Sequence, residues 1–315
     1  MSTAIKNVLI AGASGSVGLP ILNALLEESS FNITILSRAS STAIFPPDIP
    51  VIKISEEYTV KELTSAFKNQ DAVIIALTTS AVSADGKDGL AIRLIDAAVA
   101  AGVKRFIPSE FGANNLDPRA RNLVSVYDIK GNMLEYLIAK ANQSSGKLTW
   151  TSISCGSWLD WALNPAKSGN FLGINVKART ATVYDSGNAR FAITTSRNAG
   201  LAVVRALVHA DMTANKQIFL KDFTGTTRDI VSSLEKQTGE KFKIAQKYSA
   251  AEMKALKEKI DGGDLFPILS MSFGADIDIG YDFEKEQRIW NDKLGLPKVT
   301  LDEVVKEAIE LAQRT

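Results

Sequence analysis

Residues 7–18 read NVLIAGASGSVG, an apolar run that leads directly into three glycines spaced three apart. The apolar run predicts a buried strand, and the segment LPILNALLEE that follows predicts a helix. Gly12 permits a tight turn, Gly15 lets the backbone approach a pyrophosphate, and Gly18 allows the helix to pack closely on the strand. Because the amides and the dipole at a helix N-terminus favour phosphate, the stretch predicts a loop that cradles a dinucleotide.

A second apolar run, Ile33–Leu36, ends in Ser37 and Arg38 rather than in an acidic residue. In dinucleotide-binding folds a carboxylate at this corner holds the free ribose 2′-hydroxyl, whereas an arginine accommodates a 2′-phosphate. The guanidinium offers a planar fork of donors to such an anion, so we expect NADPH as the cofactor. The alternative is that the glycines only cap a strand and that Arg38 is a solvated surface residue.

Strand-like and helical patterns alternate through the first half of the chain. Apolar runs recur at residues 51–54, 72–77, 105–108 and 148–153. Between them, the capping box Thr59-x-x-Glu62 and the apolar stripe of residues 90–99, which ends near Gly102, indicate helices. Apolar strands joined by helical crossovers are typical of a parallel sheet covered on both faces. We therefore expect an α/β fold, a doubly wound Rossmann sheet with ligands at the carboxyl ends of its strands.

The second half of the chain has a looser, mixed pattern of strands and helices. Residues 181–193 predict a β-hairpin, because two strand-like runs flank the turn sequence Asp-Ser-Gly-Asn. We expect an NADP-binding Rossmann domain over residues 1–155. A smaller mixed α/β substrate-binding domain is expected over residues 156–315, with part of residues 181–210 returning to the Rossmann domain.

The composition is that of an ordinary globular protein, with 315 residues of which 45% are hydrophobic and 23% charged. With 36 Lys and Arg against 35 Asp and Glu, the formal charge of +1 indicates neither nucleic acid nor an anionic membrane as a partner. The single cysteine, Cys155, excludes an intramolecular disulfide, and we expect it to be a buried, inert thiol. We expect a cytoplasmic protein without a signal peptide or a metal site. The oligomeric state, monomer or homodimer, stays open.

A second motif lies at residues 105–112, which read RFIPSEFG and precede a helical segment that holds Tyr127 and Lys130. Together with the glycine loop and the Ser37-Arg38 corner, this run resembles the NmrA-like and isoflavone reductase-like group of atypical short-chain dehydrogenases/reductases. The resemblance covers most of the chain, is strongest in its first half and is closest to fungal members. It implies an NADPH-dependent oxidoreductase, and for a fungal member a role in secondary metabolism.

The family pattern also implies roles for single residues. It places Ser109 and Phe111 beside the nicotinamide, and Lys130 where the family lysine contacts the nicotinamide ribose and serves in proton transfer. A lysine among apolar walls and beside a nicotinamide cation would have its pKa lowered toward the working range of a general acid. Short-chain dehydrogenases usually carry a tyrosine four residues before this lysine, where the chain has Val126. Tyr127, three residues before Lys130, shares a helix face with it instead. The alternative is that the lysine lies on the exposed side of its helix.

The candidate site residues fall into three groups. The catalytic candidates are Lys130, Ser109 and Tyr127. The cofactor-binding candidates are Gly12, Ser14, Gly15, Ser16, Val17, Gly18, Ser37, Arg38, Leu77, Thr78, Thr79, Ser109, Phe111 and Lys130. The substrate-binding candidates, which we expect to form an apolar, aromatic pocket, are Trp158, Trp161 and Phe111.

These residues predict a reductase that passes a hydride from NADPH to a neutral, aromatic or polyketide-like small molecule. Lys130 would supply the proton, directly or through water. One alternative is an NmrA-like redox sensor that binds the dinucleotide without turnover and regulates a protein partner. Another is a non-redox catalyst that reuses the pocket. Retention of Lys130 favours the enzyme, whereas a site closed to small molecules would favour the sensor.

Overall fold

The computed structural model of the chain describes residues 4–83, 89–259 and 266–314. The strands are β1 Asn7–Ala11, β2 Asn32–Arg38, β3 Val51–Ile54, β4 Ala72–Ile75, β5 Arg105–Ile107, β6 Thr149–Ser154, β7 Ser157–Trp158, β8 Ile174–Asn175, β9 Thr180–Tyr184, β10 Phe191–Thr194, β11 Lys216–Phe219, β12 Phe223–Gly225 and β13 Lys243–Lys247. The helices are α1 Gly18–Glu28, α2 Val60–Phe67, α3 Thr79–Ser83, α4 Leu90–Ala101, α5 Pro118–Leu123, α6 Ser125–Gln143, α7 Leu159–Ala162, α8 Pro165–Ser168, α9 Ser196–Val208, α10 Ala210–Thr213, α11 Thr227–Thr238, α12 Ser249–Lys259, α13 Phe266–Ser272, α14 Phe283–Glu286 and α15 Leu301–Arg314.

Seven strands form one sheet in the order β11-β6-β5-β4-β1-β2-β3, and every neighbouring pair is parallel. The apolar strands β1 and β4 lie at its centre and are buried on both faces. Helices α1 and α9 cover one face, while α2, α4 and α6 cover the other. The predicted Rossmann α/β fold is therefore confirmed.

The strand order reverses between β1 and β4, which places a crevice at the middle of the sheet edge. Because the strands are parallel, the residues that follow them meet along this one edge. In spatial order from β6 to β3, the residues at or just after the strand ends are Cys155, Ser109, Leu77, Gly12, Arg38 and Glu56. Neighbouring strands lie about 4.8 Å apart, so the ends of β2 and β5 are separated by about 14 Å, a span suited to an extended ligand.

The second half of the chain builds two small sheets, with the orders β12-β10-β7 and β13-β9-β8. The predicted hairpin of residues 181–193 is wrong, because β9 and β10 lie in different sheets. All four residues of β10 are buried, and the strand takes partners on both sides, β7 and β12. The turn that follows β9 is bonded to distant segments of the chain. The Asp185 carboxylate in this turn accepts the backbone N–H groups of Ser249 at 2.9 Å and Asp276 at 3.0 Å.

After β10 the chain returns to the large sheet. Helix α9 packs so closely on α1 that a Cβ added at Gly200 would lie 2.5 Å from the carbonyl oxygen of Pro20. Strand β11 then pairs with β6 and completes the sheet. Within the described ranges, none of the helices combines the length and apolar character that crossing a bilayer requires.

Candidate active site at the carboxyl edge of the sheet

The glycine loop after β1 is shaped by contacts within the protein at two of its three glycines. Gly12 has φ +86°, and a Cβ there would lie 2.5 Å from the carbonyl oxygen of Ala76 at the end of β4. A Cβ at Gly18 would lie 2.0 Å from the carbonyl oxygen of Gly12. No side chain fits at either position, so the loop, α1 and β4 come together only with glycine.

Gly15 differs from the other two glycines. It lies with Ser14 and Ser16 at the exposed tip of the loop, its φ is not positive, and its added Cβ would meet only the Gly12 carbonyl oxygen at 3.3 Å and the Ala76 carbonyl oxygen at 3.8 Å. Within the described residues no side chain caps α1, whose N-cap is Val17. The loop thus offers an uncovered helix N-terminus and a backbone that a phosphate can approach, which fits a dinucleotide.

Arg38, the last residue of β2, is paired with a carboxylate that the sequence did not point out. Its Nη1 atom lies 3.3 Å from Oε2 of Glu56, which follows β3. The other carboxylate oxygen of Glu56 accepts the hydroxyl of Ser40 and, at 3.3 Å, its backbone N–H. These hydrogen bonds from Ser40, with the charge of Arg38, lower the pKa of Glu56, so the carboxylate is ionised at neutral pH.

A second cation lies at the same corner. Lys53 on β3 is opposite the buried Ser37 on β2, with its Nζ atom 3.4 Å from the Ser37 hydroxyl. The same ammonium donates to the carbonyl oxygens of Ser41 at 2.9 Å and Arg38 at 3.3 Å. These partners are all neutral, so Lys53 adds positive charge to the corner.

The residues after β4 bridge the glycine loop and the end of β5. The Ser109 hydroxyl donates to the carbonyl oxygen of Leu77 at 2.8 Å. Thr78 is exposed, and its hydroxyl accepts the backbone N–H of Ala81 at 3.3 Å at the start of α3, which begins at Thr79. The predicted contacts from β1, β4 and β5 therefore lie on three neighbouring strand ends.

Phe111 occupies a strained turn after β5. Its φ is +22°, which side chains rarely adopt, and the ring is half-buried against the core beneath α1 and α9. The next carbonyl, that of Gly112, accepts the backbone N–H groups of Cys155 at 3.1 Å and Gly156 at 3.0 Å. The loops after β5 and β6 are thereby joined, and strain of this kind is common at functional sites.

Lys130 lies on the buried face of α6, not on an exposed face, and is 8% exposed. It lines a cavity of about 20 Å³ together with Ser109 and Glu110. That volume holds about one water molecule. Burial lowers the pKa of Lys130, and the negative charge of Glu110 opposes this shift. Burial also raises the pKa of Glu110 to about 7, although Lys130 and a 2.6 Å hydrogen bond from Asn115 favour its ionised form.

Tyr127 makes its contacts away from this cavity. Its hydroxyl lies 2.5 Å from that of Tyr281, which in turn lies 2.9 Å from the hydroxyl of Ser272. Burial, first of all, raises the pKa of Tyr127 well above its usual value. Its phenol is thus held by residues of the C-terminal segment, and its catalytic role stays a prediction.

The two tryptophans after β6 have different surroundings. Trp158 is buried, and its indole N–H donates to the Cys155 sulfur at 2.9 Å, while burial raises the pKa of that thiol to about 12. Trp161 is partly buried with its ring centre 5.5 Å from that of Phe171. Its indole N–H is buried and has no hydrogen-bond partner among the described residues. A buried donor of this kind is costly unless a ligand or water accepts it.

Comparisons with known proteins agree with this geometry. Residues 12–183 match the NAD(P)H-binding family. Oxidoreductase aprR of Aspergillus flavus is 33% identical, and the match covers 96% of this chain and 98% of the relative. Oxidoreductase poxI of Penicillium oxalicum is 32% identical, with 96% and 93% covered. The leucoanthocyanidin reductase of Vitis vinifera in complex with NADPH has a similar fold, with a TM-score of 0.73 at 19% identity over 96% of this chain and 99% of that one.

The fold, the glycine loop and these matches define a protein that binds a nicotinamide dinucleotide. The chain belongs to the NAD(P)H-binding family, its relatives are oxidoreductases that include an NmrA-like one from Gibberella moniliformis, and its fold is similar to that of an isoflavone reductase. The resemblance stated from the sequence motifs is therefore confirmed. Across the described ranges, no group of three or more His, Cys, Asp or Glu side chains is arranged to hold a metal ion.

Proposed function

We propose that the protein is an NADPH-dependent reductase of a neutral, aromatic or polyketide-like small molecule, as an atypical short-chain dehydrogenase/reductase of secondary metabolism. The observation that carries this proposal is the buried Lys130, which shares a small cavity with Ser109 and Glu110 at the end of β5. Titratable groups with perturbed pKa values cluster at catalytic sites, so an ammonium held out of water at this position favours the enzyme over the sensor.

The order of the strand ends supports one orientation of the cofactor. The pyrophosphate fits the glycine loop at the crevice between β1 and β4, because Gly15 leaves the backbone open there. Arg38, at the end of β2, then faces the adenosine half and pairs with a 2′-phosphate. Ser109 and Phe111, after β5, border the nicotinamide half. When bound, the cofactor supplies a hydride from C4 of its nicotinamide ring.

Lys130 supplies the proton that accompanies the hydride. Its burial weakens its hold on that proton, which suits a general acid at neutral pH. The adjoining cavity has room for about one water molecule, so the transfer from Nζ runs either directly or through water. The proton goes to the atom of the substrate that gains negative charge as the neighbouring carbon accepts the hydride, and the deprotonated amine is reprotonated after each turnover.

The aromatic residues support the choice of substrate class. Trp158 and Trp161 follow β6 and Phe111 follows β5, the two strand ends that this orientation of the cofactor assigns to the nicotinamide half. Flat apolar rings favour a neutral aromatic ligand. The unpartnered indole N–H of Trp161 suits an acceptor oxygen on that ligand.

The test is NADPH oxidation followed by absorbance against a panel of aromatic enones, ketones and aryl ethers. With an accepted substrate, Lys130→Met should lower kcat by roughly 100-fold or more while NADPH affinity stays within several-fold, because positioned acid catalysis is worth about that much. Lys140→Met, on the same helix but paired with Asp96, is the matched control and should turn over normally.

Normal turnover by Lys130→Met would remove the lysine from the mechanism and leave the reductase. A fully inert panel, with NADPH still bound and binding to a protein partner altered by it, would replace the reductase with the sensor.

A further inference from the structure

At the corner after β2, the carboxylate of Glu56 binds the kinds of donor groups that a 2′-phosphate would also bind. Its carboxylate accepts the guanidinium of Arg38 at 3.3 Å and both the hydroxyl and the backbone N–H of Ser40. A phosphate of adenosine ribose is recognised by the same kinds of donor, a guanidinium fork, a hydroxyl and a backbone amide. The carboxylate therefore engages the donors that a 2′-phosphate would use.

We propose that Glu56 is a specificity-determining residue that moderates the preference for NADPH over NADH. NADPH must displace the Glu56 carboxylate from Arg38 and Ser40 before its phosphate binds. The same carboxylate can accept a hydrogen bond from the free 2′-hydroxyl of NADH, the role that an acidic residue plays in NAD-specific folds. This proposal rests on the proposed function, because it requires adenosine at the end of β2.

The exposure of the ion pair makes the exchange feasible. The side chains of Arg38 and Glu56 are 55% and 47% exposed, so their pairing is weak and breaks readily. Lys53, held by the neutral groups of Ser37, Arg38 and Ser41, keeps a second positive charge at the corner. A phosphate thus meets two cations and one carboxylate, and the carboxylate is the only one of the three that repels it.

The direct test is Glu56→Gln, which keeps the side-chain shape and removes the charge. Repulsion between unit charges about 4 Å apart in water weakens binding roughly fivefold. A phosphate carries about 1.5 to 2 negative charges, so relief of the repulsion should tighten NADPH binding by about tenfold or more at low salt. NADH should bind several-fold more weakly, because a neutral amide is a poorer acceptor for the 2′-hydroxyl. Titration calorimetry with both cofactors, at low and high salt, measures both changes, and the gain for NADPH should shrink as salt is added.

Glu57→Gln is the matched control, since it removes the same charge from the next residue, whose pKa is lowered mainly by a hydrogen bond from Ser55. It should leave the NADPH-to-NADH ratio within twofold of wild type, roughly the limit set by screened charge effects. Lys53→Met gives a second measurement: it should weaken NADPH, and not NADH, by several-fold.

An unchanged ratio in Glu56→Gln, or an equal change in Glu57→Gln, overturns the proposal. Failure of the wild-type protein to bind either cofactor would instead overturn the proposed function, so the two results are distinguishable. A circular dichroism melt of each variant checks that the chain is folded.

Discussion

Lys130 and Glu110 are both buried and line the same small cavity, where their opposite charges influence each other. Burial favours the neutral form of each group, and the charge of each favours the ionised form of the other. Lys130 therefore keeps its proton at neutral pH more readily while Glu110 is ionised.

Removing the charge of Glu110 should shift the pH dependence of turnover. In Glu110→Gln the pKa of Lys130 falls further, and a general acid works only while protonated, so the alkaline limb of the kcat profile should move to lower pH. The measurement is kcat against pH with an accepted substrate. Glu135→Gln, on the exposed side of α6, is the control and should keep the wild-type profile. Coincident profiles for Glu110→Gln and wild type would mean that Glu110 does not govern the proton of Lys130.

Single residues differ in how far the sequence predicts their surroundings. Lys130 could be proposed for the site because a family motif marks it. The sequence pattern assigns no role to Glu110 or Glu56, because the burial of Glu110 depends on α6 packing beside β5 and the pairing of Glu56 depends on the register of β2 with β3. Neither contact is encoded locally. Tyr127 was chosen from helix spacing, which cannot show that Tyr281 would reach its hydroxyl.

At the scale of the element, the loop between β1 and α1 contains two glycines that are needed for different reasons. Gly18 is required by packing inside the protein, whereas the tip at Gly15 faces solvent. An added methyl group at Gly18 should therefore lower the stability of the fold. An added methyl group at Gly15 should weaken cofactor binding and leave the stability nearly unchanged.

Gly15→Ala should fold with a Tm close to wild type and bind NADPH at least about tenfold more weakly, because the methyl group occupies space that the pyrophosphate needs. Gly18→Ala should lower the free energy of unfolding by several kcal/mol, roughly the cost of a severe core overlap, since its Cβ would lie 2.0 Å from the Gly12 carbonyl oxygen. Thermal melts and titration calorimetry measure both. Unimpaired NADPH binding by a folded Gly15→Ala would contradict the assignment of the pyrophosphate to this loop.

Elements defined by local chemistry could be predicted, and elements defined by distant partners could not. The capping box of Thr59 and Glu62 starts α2 as expected, because both residues bond to backbone within one turn. The prediction of a hairpin over residues 181–193 was wrong because a turn sequence does not specify which strands pair. Instead, β9 pairs with β13 and β10 pairs with β7, and both partners lie far away in the chain.

At the scale of the whole molecule, the two edges of the large sheet have separate tasks. The carboxyl edge carries the proposed site, whereas at the amino edge the buried Arg105 joins β5 to neighbouring elements. Its guanidinium donates to the hydroxyls of Thr149 at 2.8 Å, Thr151 at 2.9 Å and Thr213 at 3.0 Å, and to the carbonyl of Ala210 at 2.6 Å. Burial lowers the pKa of Arg105 to about 10.

Arg105→Met should therefore cost stability without affecting the site. The change removes four hydrogen bonds from a charged donor, and we expect a loss of about 3 kcal/mol in the free energy of unfolding. The affinity for NADPH should stay within twofold, about the scatter expected for distant sites. Urea denaturation and calorimetry test the two parts, and a large loss of affinity in the folded variant would show that the edges are coupled.

The close packing of α9 on α1 has a consequence for the order in which the protein is made. The match to the NAD(P)H-binding family ends at residue 183, yet α9 and β11 supply the outer cover of α1 and the last strand of the sheet. While the ribosome has released only the first half, the apolar residues Ile21, Leu22 and Leu25 of α1 lack this cover. We therefore expect the Rossmann half to complete its fold, and to bind its cofactor, only after residues 196–219 have left the ribosome.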